Sequence, residues 1–120
     1  MGSFKDLIVY KYAFELAMEI FEESKNFPKL EQYSLTDQIR RSSRSVCANI
    51  GECYRKRIYR AHFLSKVSDA DMENSETQVW LEFALACGYI PKTKYDLFLK
   101  QSEEIGRLLG DMMNNPGKYC

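Results

Sequence analysis

The chain has 120 residues, 45% hydrophobic and 28% charged, enough for one domain with a real core and too few for two. Seventeen Lys and Arg balance seventeen Asp and Glu, so no global field draws the protein to nucleic acid or to a membrane. No stretch approaches the ~20 apolar residues of a membrane span and no secretory leader opens the chain, which makes the cytoplasm the expected compartment. Neutrality hides a sharp local asymmetry: residues 40–66 carry eight basic groups and one acidic, residues 67–90 none and five.

In chain order, Ser3 with Asp6 reads as a capping box. Leu7, Tyr10, Phe14, Ala17, Phe21 and Ser24 then step by three or four, with Leu16 and Ile20 widening the stripe. Pro28 disfavours helical geometry at Phe27, so the first helix spans about residues 4–26. After a polar connector, Ser34 and Asp37 form a weaker capping pattern. Leu35, Ile39, Ser43, Val46, Ile50 and Tyr54 give the second helix one face. Ser42, Ser45, Ala48 and Gly51 crowd around these aliphatics and permit close approach by neighbouring helices, and the helix spans about 34–56. A third helix over 60–87 has the seam Phe63, Val67, Ala70, Asn74, Thr77, Leu81 and Ala84, broadened by Met72, Val79, Trp80 and Phe83. Gly88 is a left-handed stop and Pro91 suits the first position of the next helix. The fourth helix, about 91–114, presents Tyr95, Phe98, Leu99, Ser102, Ile105, Leu108, Leu109 and Met112. No strand-like alternation intervenes. Four helices with short connectors make an all-α, antiparallel up-down-up-down four-helix bundle over residues 1–120.

Side chains that carry chemistry are sparse. Cys47, Cys53, Cys87 and Cys120 lack metal-ligand spacing and read as small apolar residues in a reducing compartment. His62 is the single histidine, without a partner acid or nucleophile at useful spacing. No glycine-rich phosphate loop and no Glu-x-x-His pair is present. The residues point to no catalytic site, no metal and no cofactor.

Charge placement is the stronger signal. If helices 2 and 3 form a hairpin turning near Ile58, residues whose numbers sum to about 116 lie at equal height. Arg40 then meets Glu76, Arg44 meets Met72 and Glu73, and Arg41 is near Ser75. This pairing leaves Arg55, Lys56, Arg57 and Arg60 at the turn, interleaved with Tyr54 and Tyr59. The ordinary account of such a cluster is a solvated tip; the alternative is a polyanion site that holds phosphates and stacks bases. The apolar stripes also exceed what one small bundle needs inside, and the surplus points to self-association with Tyr10, Phe14 and Trp80 as candidate contacts.

Tyr33-Ser34-Leu35-Thr36-Asp37-Gln38-Ile39-Arg40-Arg41-Ser42, then Ala48-Asn49-Ile50-Gly51-Glu52, Glu76-Thr77-Gln78 and Gly88-Tyr89-Ile90 resemble the four-helix-bundle proteins encoded by intervening sequences of 23S ribosomal RNA genes. The opening Phe4-Lys5-Asp6-Leu7-Ile8-Val9 resembles the start of that family. The resemblance implies an antiparallel bundle assembled as a ring-like homopentamer. It is also similar to the accessory variability protein of diversity-generating retroelements, a basic pentamer that binds nucleic acid and a reverse transcriptase. The chain departs from the family pattern in its neutrality and at Gly51-Glu52-Cys53, where Ala-Glu-Gly is usual. Two readings follow: a non-enzymatic homo-oligomeric module whose partners are itself and other proteins, or a module that binds RNA or DNA through the basic turn.

Overall fold

The computed structural model describes residues 2–120. Four helices dominate it: α1 (Ile8–Ser24), α2 (Leu35–Arg55), α3 (Arg60–Ala86) and α4 (Lys92–Asn114). They form the expected antiparallel bundle, 44 × 25 × 22 Å. Each helix packs on its chain neighbours, α2 on α3 most extensively, and α1 closes the square against α4.

The ends show how local sequence sets each element. The Ser3–Asp6 capping box forms, but it caps a single 3-10 turn, Phe4–Asp6. Leu7 is extended (φ −69°, ψ 133°), so α1 starts at Ile8 rather than at residue 4, and it ends at Ser24. Ser34 makes no side-chain cap to Asp37. Glu31, from the 3-10 turn Lys29–Glu31 in the connector, takes that task. Its Oε1 accepts from the Leu35 backbone N–H at 3.2 Å and from Ser34 Oγ at 2.6 Å. Its other oxygen accepts the Tyr89 hydroxyl at 2.8 Å, tying the α1–α2 and α3–α4 connections together. These donors hold the Glu31 carboxyl below its ordinary range.

The α2–α3 turn is Lys56–Tyr59. Arg57 Nε donates to the Tyr54 carbonyl at 2.8 Å, so a cation satisfies an orphan acceptor at the α2 C-terminus. At the end of α3, Gly88 adopts φ 77°. The Tyr89 N–H reaches the Ala84 carbonyl and the Gly88 N–H the Leu85 carbonyl, the paired bonds of a Schellman motif. Pro91 caps α4 from outside, one residue before its first turn.

All seven seam residues expected in α3 are buried, from Phe63 to Ala84. Met72, Val79 and Phe83 do not broaden that seam; they lie on the outer face, 67%, 45% and 53% exposed. The buried face of α1 is Val9, Ala13, Leu16, Ala17, Ile20 and Ser24. It is rotated from the expected stripe, which leaves Phe14 51% exposed.

The core contains a polar layer among its aliphatics. Ser42 Oγ lies 2.8 Å from Thr77 Oγ1 between α2 and α3. Asn74 Nδ2 donates to the Ser102 carbonyl, and Ser102 Oγ donates to Asn74 Oδ1, both at 2.9 Å. Gln78 Nε2 also donates to Ser102 Oγ at 2.9 Å. These buried groups satisfy one another only when the helices hold one register.

Gly51 lies in the α2 interior, where a Cβ would meet the Phe4 ring at 3.6 Å, an ordinary contact distance. Gly51→Ala is therefore expected to stabilise the bundle by about 0.5–1 kcal/mol. A thermal or urea melt reads the gain; a loss would mean that the Phe4 segment cannot accommodate the methyl.

Candidate interaction surfaces

Ion pairing between α2 and α3 differs from expectation by one residue. Arg41, not Arg40, reaches Glu76 and lies 3.8 Å from Glu73. Adjacent helix residues point ~100° apart, and this turns Arg40 toward α1. There its Nε donates to Ser24 Oγ at 2.8 Å and its guanidinium lies 4.7 Å from the Phe21 ring centre. Arg44 does not meet Glu73 either; it lies over the same ring at 5.5 Å. Glu76 is further engaged by Trp80 Nε1 at 3.2 Å. Farther along the hairpin, Lys66 Nζ pairs with Glu52 at 2.8 Å.

Both Arg41 and Glu76 keep contact with water, so their pairing contributes up to about 1 kcal/mol. In an Arg41→Ala and Glu76→Ala cycle the double variant should lose less than the summed single losses. Strict additivity in urea melts would show that the pair carries no net coupling. The same cycle on Arg40 and Glu76 should be additive.

The turn gathers the predicted basic residues unevenly. Arg57 is committed to the fold, with its guanidinium 3.6 Å from the Tyr54 ring centre as well as bonded to the Tyr54 carbonyl. Arg55, Lys56, Arg60 and Tyr59 are exposed. Tyr59 lies beside His62, their ring centres 5.8 Å apart, and Arg60 lies near Gly117 of the C-terminal segment. Among the described residues, none of Arg55, Lys56, Arg57 and Arg60 has a carboxylate within 4 Å; nor do Arg40 and Arg44. The unneutralised cations therefore extend from the turn back along the exposed side of α2.

The proposed contact residues divide in a similar way. Phe14 is exposed, whereas Tyr10 is half-buried and stacks between Phe14 at 6.1 Å and the Phe4 edge at 5.0 Å. Trp80 is half-buried against the core, with Phe83 beside it at 6.0 Å. Sequence reasoning misses the outer α3 face as a surface in its own right, although the spacing of Met72, Val79 and Phe83 carries the signal.

Cys53 is fully buried and burial pushes its thiol up to about 12; Cys47 is raised to about 11 for the same reason. Neither is a ready thiolate nucleophile. Among the described residues no helix is long and apolar enough to cross a membrane.

Comparison with known proteins agrees with this geometry. No curated protein matches the chain. A crystal structure of a protein of unknown function from the S23 ribosomal protein family of Bacteroides thetaiotaomicron superposes with a TM-score of 0.81 at 31% identity. The match covers 88% of this chain and 98% of that one. The sequence profile described as 23S rRNA-intervening sequence protein matches residues 5–111, and the chain therefore belongs to the 23S rRNA-intervening sequence protein family.

Proposed function

We propose that the protein is a non-enzymatic assembly module: a bundle that self-associates, as the homopentamer its resemblance implies, and serves as a scaffold for protein partners. The observation that carries this reading is the apolar surface left outside an already filled core. Phe14, Met72, Val79 and Phe83 stand on outer helix faces at 45–67% exposure, although Phe63, Phe98 and the aliphatics pack the interior. Water contact on that scale is costly for a lone chain, at about 25 cal/mol per Å² of apolar area that assembly could cover. Light scattering on the wild-type chain should give a discrete multiple of 14.1 kDa, five for a pentamer. A monomer persisting across micromolar concentrations would refute the proposal.

The second reading is a nucleic-acid module, favoured by the cations without carboxylate partners at the turn. Since Arg57 is held by Tyr54, the informative variant is Arg55→Gln/Lys56→Gln/Arg60→Gln. If phosphates bind there, affinity for RNA or DNA falls in this variant and the salt dependence flattens, by about 0.9 in slope per lost phosphate contact on duplex DNA. Equal binding by variant and wild type would remove this reading.

A further inference from the structure

The outer faces of α2 and α3 are complementary in shape, polarity and charge. On α2, Arg44, Ala48, Gly51 and Arg55 recur at steps of three or four and form one outward ridge. Arg44, Ala48 and Arg55 are exposed and Gly51 is partly so. The middle of the ridge has almost no side chain, so the surface is a trough with an arginine at each end. Phe4, Tyr10 and Cys47 border it on the α1 side. The Phe4 ring lies against Gly51, 3.6 Å from where a Cβ would stand, so a second helix approaches most closely over Ala48, and both arginines lack an intramolecular carboxylate among the described residues.

On α3, the outer face offers Met72, Val79 and Phe83. Asp71 and Glu82 flank this patch, one near each end, and neither has a cation within 4 Å among the described residues. Arg44 and Arg55 are eleven residues apart, as are Asp71 and Glu82. At ~1.5 Å per residue both spans are about 16 Å, three helical turns. The two faces therefore match end to end, apolar middle on small-residue floor, acid on base.

We infer that the trough on α2 receives the outer face of α3 from a second copy of this chain. The inference rests on the assembly reading above and specifies its contact. The two surfaces lie on different helices of one molecule, so a contact that gives each neighbour only one of them is head-to-tail; a closed ring then gives one discrete mass, and an open chain gives filaments. Phosphate is the poorer occupant of this trough, because Asp37 lies on the same outward line of α2 and the Phe4 and Tyr10 rings border it. A polyanion would also leave Met72, Val79 and Phe83 uncovered.

Charge reversal tests the inference on the intact chain. Arg44→Glu/Arg55→Glu and Asp71→Arg/Glu82→Arg should each drop from the wild-type mass to 14.1 kDa in light scattering. The chain carrying all four reversals should regain the wild-type mass. Arg44→Gln/Arg55→Gln, a milder change at exposed positions, supplies the same test should a reversal disturb the helical circular dichroism; it should dissociate at least tenfold more readily on dilution. Retention of the wild-type mass by either double reversal, or a four-fold reversal that stays monomeric, overturns the inference while the assembly reading stands. A monomeric wild type overturns both. Loss of RNA binding in the α2 reversal with unchanged mass would reassign the trough to nucleic acid and likewise overturn the inference.

Discussion

Phe63→Ala is expected to cost about 3–5 kcal/mol of folding stability, the range for deleting a buried aromatic ring. Phe63 is 1% exposed in the first turn of α3, and the Tyr119 ring lies nearly parallel to it at 6.4 Å. Tyr119 is in turn fixed by Asp111, which accepts its hydroxyl at 2.8 Å and pairs with Lys118 at 2.9 Å. Loss of the ring opens a cavity beneath the C-terminal segment, so that segment should loosen together with the α2–α3 turn. At roughly 3–5 °C per kcal/mol for a chain of this size, the melting temperature should fall by about 10–20 °C. A shift below ~3 °C would mean that the α3 N-terminus contributes little to the cooperative core.

Asn74→Ala should cost about 2–4 kcal/mol, through unsatisfied hydrogen bonds more than through lost volume. It strips the Ser102 hydroxyl of its acceptor and the Ser102 carbonyl of a donor in a layer where Asn74 is 2% and Ser102 0% exposed. Ser102→Ala should also destabilise, and the double variant should lose clearly less than the sum, because each single change strands the other partner. Additive losses in urea melts would contradict a reciprocal pair. A normal melt for Asn74→Ala would show the layer to be dispensable.

Much of the fold was legible because α2 and α4 segregate apolar and polar residues onto opposite faces and the α3 seam keeps its helical spacing. In α3 the small and polar seam members Ala70, Asn74 and Thr77 fall at the same azimuth as Phe63 and Leu81, and all are buried. The first helix was less legible for a physical reason: apolar residues run nearly all round it. Tyr10, Phe14 and Phe21 fit a helical period as well as Val9, Ala13 and Ile20 do, and periodicity alone cannot choose between overlapping stripes. Packing chose the smaller residues, which let α1 approach its neighbours, left Phe14 outside and set Tyr10 and Phe21 at the margin.

The interaction surfaces show the same division between height and azimuth. Hairpin arithmetic brought α2 and α3 to nearly the right height, since Glu76 is indeed the acid opposite this part of α2. It could not tell Arg40 from Arg41, which differ by 1.5 Å along the axis and ~100° around it. That one-residue difference releases Arg40 and Arg44 from α3 and extends the basic surface down the helix. Ser34 misled for a related reason. The Ser34–Asp37 spacing predicts a cap within α2, whereas the acceptor comes from Glu31 in the preceding turn.

If the surplus apolar surface serves assembly and not the bundle's own core, the two properties must separate in a single variant. Met72→Lys/Val79→Lys/Phe83→Lys changes three outer α3 positions and none of the buried ones. Light scattering and circular dichroism on the same sample should find the mass fallen to 14.1 kDa with the helical signal and a cooperative melt retained. A folded variant that keeps the wild-type mass would contradict assembly through this face, and a variant that unfolds would show that the face belongs to the fold itself.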